Sequence, residues 1–191
     1  MNPTATDYSR RLARVSLAIF AAALAVGVYA ALERRGLHAD GALYLSRLLS
    51  REEFDLAEPA RRTALAILQA PALLAIRSGW FDLAGVSFVF TLTLELVPLG
   101  LVAACYFVLP AGRKHFFYFP LLHYLAGTLS ASASPIAESL AAHAYFWPLF
   151  YLVLFRPLRP LGFAVVFVLA APVLYLHEAM GIMSLPIASW R

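Results

Sequence analysis

The sequence predicts an all-α fold: a polytopic bundle of transmembrane helices, about five spans, forming a single integral membrane domain over residues 1–191. Three observations predict it. Hydrophobic residues make up 62% of the chain and charged residues only 14%, where soluble domains run nearer half and a quarter. That apolar excess asks for lipid as its solvent, and the mean hydropathy of +0.75 agrees. Apolar runs long enough to cross a bilayer recur along the chain, and Arg residues collect beside them. Such clustering, at a net charge of only +4, fits headgroup contact and excludes a nucleic-acid partner. The single Cys105 lies inside an apolar run, so no intramolecular disulfide forms and the redox compartment is unreadable.

Residues 15–32 form the first span. Arg10, Arg11 and Arg14 precede it, which places the N-terminus in the cytoplasm. The run is too long for a signal-peptide core, and no small-x-small cleavage site ends it before Glu33, so it reads as a retained anchor. Residues 33–80 form an extracytoplasmic loop with helices lying in the interface. Over 42–49, Leu45, Leu48 and Leu49 share one helical face, with Ser46, Arg47 and Ser50 elsewhere. Ser50-Arg-Glu-Glu53 matches a capping box, and Pro59 fits the first turn of a further helix. Over 60–76 one side is apolar (Leu65, Leu68, Ala72, Ile76), but the segment carries Arg61, Arg62 and Gln69. Its polar start places it in the headgroup layer, with Pro71 expected to kink it.

The second span covers 81–109, with a bend expected at Pro98. Spans follow at 116–130, 136–155 and 161–180. If five spans alternate, the basic turns Arg113-Lys114 and Arg156/Arg159 fall on the N-terminal side, as the positive-inside rule asks. The loop carrying Arg34, Arg35, Arg47, Arg51, Arg61, Arg62 and Arg77 falls outside, where the rule weakens for longer loops. The expected location is a bacterial inner membrane.

Ionisable groups inside a bilayer are costly, so each is a functional candidate. Glu95, His123 and His143 lie deep and make an internal polar set. Glu138, His177 and Glu178 lie near the outer face, where Asp40 also stands. Each has a plainer reading. Asp40 suits a turn or helix cap. Glu138 in a first helical turn suits the helix dipole. Glu95 suits a packing contact with a His or Ser of a neighbouring helix. His123, His177, Asp40 and Glu178 are the right types for Zn²⁺, but no His-x-x-x-His or His-Glu-x-x-His spacing occurs.

An N-in first span, an outward loop with the early acid of His38-Ala-Asp-Gly-Ala-Leu-Tyr44, and interfacial helices before the second span resemble the start of the GT-C glycosyltransferases, over residues 15–109. Those are polytopic enzymes that use polyprenyl-phosphate-linked sugars. The resemblance implies that Asp40 acts at the acceptor, as base or metal ligand. Around it, Arg61 or Arg62 would neutralise the lipid phosphate, and Glu138, His177 and Glu178 would bind sugar hydroxyls or a divalent cation. Family members are usually longer, so the chain reads as an incomplete relative. Two alternatives stand beside this one. The first is a non-catalytic membrane subunit or small transporter, working with other membrane subunits through Glu95, His123 and His143. The second is a metal-dependent membrane hydrolase.

Overall fold

The computed structural model describes residues 3–38, 40–56, 59–129, 137–156 and 160–170, with side chains at all of these except 3–6, 60, 128, 137–143, 161 and 165. The described residues contain helices and connections and no strand. In chain order the α-helices are α1 (Pro3–Leu32), α2 (Asp40–Arg51), α3 (Arg62–Ser78), α4 (Leu83–Val108), α5 (Tyr118–His123), α6 (Ala137–Phe155) and α7 (Pro160–Ala170). Two of them, α1 over Asp7–Leu32 and α4, are long and apolar enough to cross a membrane.

On α1 the buried side chains are small and the large apolar ones are exposed. Its buried positions are Ser16, Ala23, Gly27, Ala30 and Ala31. Its large apolar residues point away from the protein, among them Val15, Leu24, Val26, Val28 and Leu32. Tyr29 is 56% exposed while Ala31 is 0% exposed. Small residues on the inner face let the backbones of α1 and α4 approach closely. A Cβ added to Gly27 would stand 3.4 Å from Leu99 Cδ1 and 3.5 Å from Glu95 Cβ.

Helix α4 is the central element and packs against α1, α3 and α6. Its interior face carries Ser87, Thr91, Thr93 and Glu95, all buried. Two of these hydroxyls close on their own helix. Ser87 donates to the Leu83 carbonyl at 2.7 Å and Thr93 to the Val89 carbonyl at 2.8 Å, which leaves them satisfied without a partner helix. On its first half, α4 shares a core with α2 and α3, built from Leu45, Leu48, Leu68, Ala72, Phe90 and Leu94. On its second half, Leu99, Val102 and Cys105 pack with Ala23, Phe117, Leu121, Tyr124 and Tyr151.

The connection from α1 to α2 is a tight corner. Arg34 takes the left-handed conformation (φ 53°), and a 3₁₀ turn over Arg35–Leu37 follows. Gly36 presses on α4: a Cβ there would stand 2.9 Å from Leu94 and 3.0 Å from Thr91. A Cβ on Gly41 would overlap the Gly36 carbonyl oxygen. Gly41 is therefore needed for the close backbone approach, a demand that only glycine meets. The amphipathic helix expected at 42–49 is present, with Leu45 and Leu48 buried.

Beyond α2 the structure departs from the sequence reading. The capping box at Ser50 does not form. Ser50 lies in the last turn of α2, its hydroxyl donating to the Arg47 carbonyl at 3.1 Å, and Glu52 turns the chain at φ 53°. Arg77 holds that turn, its guanidinium donating to the Glu52 carbonyl at 3.2 and 2.8 Å. The buried Asp55 ties the loop down: it pairs with Arg47 at 3.1 Å, and its backbone N–H donates to Gln69 Oε1 at 2.8 Å. A capping-box motif reads only local bonding, and here these longer-range bonds outcompete it.

Pro59 opens a 3₁₀ turn, Pro59–Arg61, that runs into α3. Helix α3 folds back along α4 and also meets α6, where Ala64 packs with Leu149. The hairpin between α3 and α4 has strong local signals. Gly79 supplies the left-handed C-cap (φ 66°), and Asp82 accepts from the Gly85 N–H at 2.7 Å as N-cap.

The basic turn at 111–115 and the third span expected over 116–130 form one irregular stretch. It runs as a 3₁₀ helix over Ala111–Phe117, then α5, then π-type turns over Tyr124–Leu129. Pro110, Gly112, Pro120 and Gly127 interrupt regular α-helical bonding there. At one end of the bundle the basic groups converge. Arg156 donates to the Val108 and Phe107 carbonyls at 2.9 and 3.3 Å, and Lys114 donates to the Tyr106 carbonyl. These cations satisfy the carbonyls that α4 leaves open at its C-terminus. The bonds also set α4 and α6 parallel, with both C-termini at that end.

Candidate functional site

Glu95 sits near the middle of α4 and is only 6% exposed. Its position follows from the sequence around it. Thr91 lies one turn before it on the same face. Pro98, three residues on, has no N–H to offer the Leu94 carbonyl, so α4 is locally open beside the carboxyl. Gly27 of α1 gives the Glu95 side chain room on one flank. Arg35, at the exit of α1, attracts it electrostatically. From the other side comes Tyr124, whose hydroxyl lies within electrostatic reach of Glu95.

Tyr124 begins the π-type turns. Such turns widen a helix and often mark functional positions. Among the described residues the Tyr124 hydroxyl, Thr91 Oγ1 and Trp147 Nε1 are buried with no hydrogen-bond partner. Each such group costs about 1–3 kcal/mol if it stays unpaired. Two of them, Thr91 one turn before Glu95 and Tyr124 within its electrostatic reach, belong to the same part of the interior as the carboxyl. His123 precedes Tyr124 and stands edge-on to the Trp147 ring of α6, with centroids 5.9 Å apart.

The sequence candidates divide accordingly. Glu95 and Tyr124 are brought together where α4 meets the 118–129 stretch, while His123 stands against Trp147 of α6. His143 lies on α6, one turn before Trp147, with its side chain outside the described set. Asp40 is elsewhere: it is exposed and forms the first residue of α2, where a carboxylate is favoured by the helix dipole. Arg62 is exposed at the start of α3, and Arg61 is half-buried in the turn before it. The side chain of Glu138 is outside the described set, and His177 and Glu178 lie outside the described residues. Among the described residues no three His, Cys, Asp or Glu side chains gather as metal ligands.

Sequence reading missed Thr91, Tyr124 and Arg35. The Thr91-x-x-x-Glu95 spacing, which puts both groups on one helical face, was the available signal for Thr91. Tyr124 had none, because with Tyr118, Tyr145, Trp147 and Tyr151 it read as interface belt or core packing. No family model matches the chain, and no curated protein or solved structure is detectably similar to it.

Proposed function

We propose that the chain is an integral membrane protein, a small transporter or transporter subunit, in which Glu95 takes up and releases a proton inside the bundle. The observation that carries this reading is the inside-out distribution of side chains. On α1 the buried positions are small (Ser16, Ala23, Gly27, Ala30, Ala31) and face an α4 that carries Thr91 and Glu95, while large apolar residues cover its outside. A helix in water would bury Leu24 and Tyr29 before Ala31 and Ser16. In lipid the outer face needs no cover, and a carboxyl kept inside is expensive unless it is used. Thr91, one turn away on the same helix, and Tyr124, within electrostatic reach, add two buried unpartnered hydroxyls to that carboxyl's side of the interior. Five spans, a cytoplasmic N-terminus and an inner-membrane location are the topology that goes with this reading. The end of the bundle carrying Arg10, Lys114 and Arg156 then faces the cytoplasm.

A second reading, the GT-C-like glycosyltransferase acting on a polyprenyl-phosphate sugar, is favoured by one feature. Asp40 is exposed at the head of α2, directly past the first long helix. One paired experiment separates the two. The full chain is reconstituted in liposomes with an internal pH dye, and sugar transfer from a lipid-linked donor is assayed in parallel. Proton flux is expected above that of empty liposomes, abolished in Glu95→Gln and unchanged in Asp40→Asn. Sugar transfer that disappears in Asp40→Asn, with no flux in the parent chain, would transfer the assignment to the enzyme.

A further inference from the structure

A second polar feature lies at the opposite end of the molecule from Asp40. Between α1 and the 111–117 turn there is a cleft of about 240 Å³, walled by Arg10 and Ala13 on one side and by Gly112, Lys114 and His115 on the other. Among the described residues no carboxylate comes within ion-pair distance of Arg10, Arg113 or Lys114, whereas the neighbouring Arg11 is paired with Asp7 at 3.0 Å. Lys114 is held in place by the Tyr106 carbonyl and by the Tyr106 ring, whose centroid is 4.2 Å away. Burial, with a smaller contribution from Arg156, lowers its pKa below the ordinary lysine value. Cations collected around a cleft without a counter-charge call for an anion. Just beyond the cleft along α1, Val15 and Leu17 turn outward as exposed apolar residues. The cleft therefore lies where headgroups would meet the lipid-facing side of α1, and Gly112 leaves room for a ligand, having nothing within 4 Å of where a Cβ would stand.

We propose that this cleft binds the phosphate of an anionic phospholipid headgroup, with Arg10 and Lys114 as its charged contacts and His115 as a polar wall. The inference rests on the membrane reading but is independent of any role for Glu95. Anionic lipids are concentrated in the cytoplasmic leaflet, the leaflet that the basic end of the bundle faces in that reading. The glycerol backbone and acyl chains would then run along the exposed apolar face of α1.

Lys114 is the only lysine in the chain, so its acylation reports on the site directly. The full chain is placed in nanodiscs of phosphatidylcholine, with or without phosphatidylglycerol, and Lys114 acylation is followed by peptide mass mapping. Phosphatidylglycerol is expected to slow it. Arg10→Gln is expected to weaken the lipid's apparent affinity about fivefold, the effect of one cation at a headgroup. Arg11→Gln removes the same charge away from the cleft and is expected to change nothing. Equal acylation with and without phosphatidylglycerol overturns the proposal, as does an equal loss in the two Arg variants. Inorganic phosphate that protects Lys114 equally well in phosphatidylcholine overturns the lipid occupant in favour of a free anion. None of these outcomes depends on proton flux, so failure here is separable from failure at Glu95.

Discussion

At the scale of single residues the informative groups are those the fold leaves unpaired. The Tyr124 hydroxyl is buried against α4 and makes no hydrogen bond among the described residues. Replacing it by hydrogen removes a cost without leaving a hole, because the ring that packs with Leu99 and Tyr151 remains. Tyr124→Phe is therefore expected to raise stability by about 1–3 kcal/mol, read by thermal unfolding in detergent, while lowering proton flux. A destabilised Phe variant would mean that the hydroxyl has a structural partner, and the polar site would lose one of its members. Asp40 illustrates the opposite case. Its acid type and early loop position were legible in the sequence, but the exposed first turn of α2 accounts for both without chemistry.

At the scale of elements, legibility followed the range of the interactions involved. The C-terminal end of α1, the ends of α4 and the buried face of α2 were readable because apolar length and helical period are local, whereas α1 begins at Pro3, well before the apolar run from residue 15. The Ser50 capping box failed because Arg77, Asp55 and Gln69, distant in sequence, take over the turn after α2. Residues 116–130 read as one span by composition, after a basic turn. Pro110, Gly112, Pro120 and Gly127 make the whole stretch from 111 to 129 a run of 3₁₀, α and π segments, and one of those turns presents Tyr124. The corner between α1 and α2 offers the sharpest test at this scale. Gly41→Ala sets a Cβ onto the Gly36 carbonyl oxygen, and backbone cannot give way as a flexible side chain can. The expected cost is about 1–3 kcal/mol or more, measured as a lowered Tm. An unchanged Tm would mean that the corner has slack that the tight approach of Gly36 to Thr91 and Leu94 denies.

For the whole molecule the decisive property is which side of α1 is wet. The composition announced an apolar solvent, but it did not say that α1 would turn its small residues inward, because a run such as Ala21-Ala-Ala-Leu-Ala-Val-Gly27 carries no contrast in polarity. The contrast is one of size, and only packing reveals it: Ala23, Gly27, Ala30 and Ala31 inside, Leu24, Val26 and Val28 outside. The buried carboxyl of Glu95, the basic cleft near Arg10 and the reading of the chain as a membrane protein all depend on that arrangement. The most direct measurement is a spin label at Leu24→Cys in a Cys105→Ala background, with the protein reconstituted in liposomes. Paramagnetic relaxation is expected to be strong with dissolved oxygen and weak with a water-soluble nickel chelate. A nickel effect at position 24 as large as that at a label on Asp40→Cys would place this face of α1 in water and contradict the arrangement.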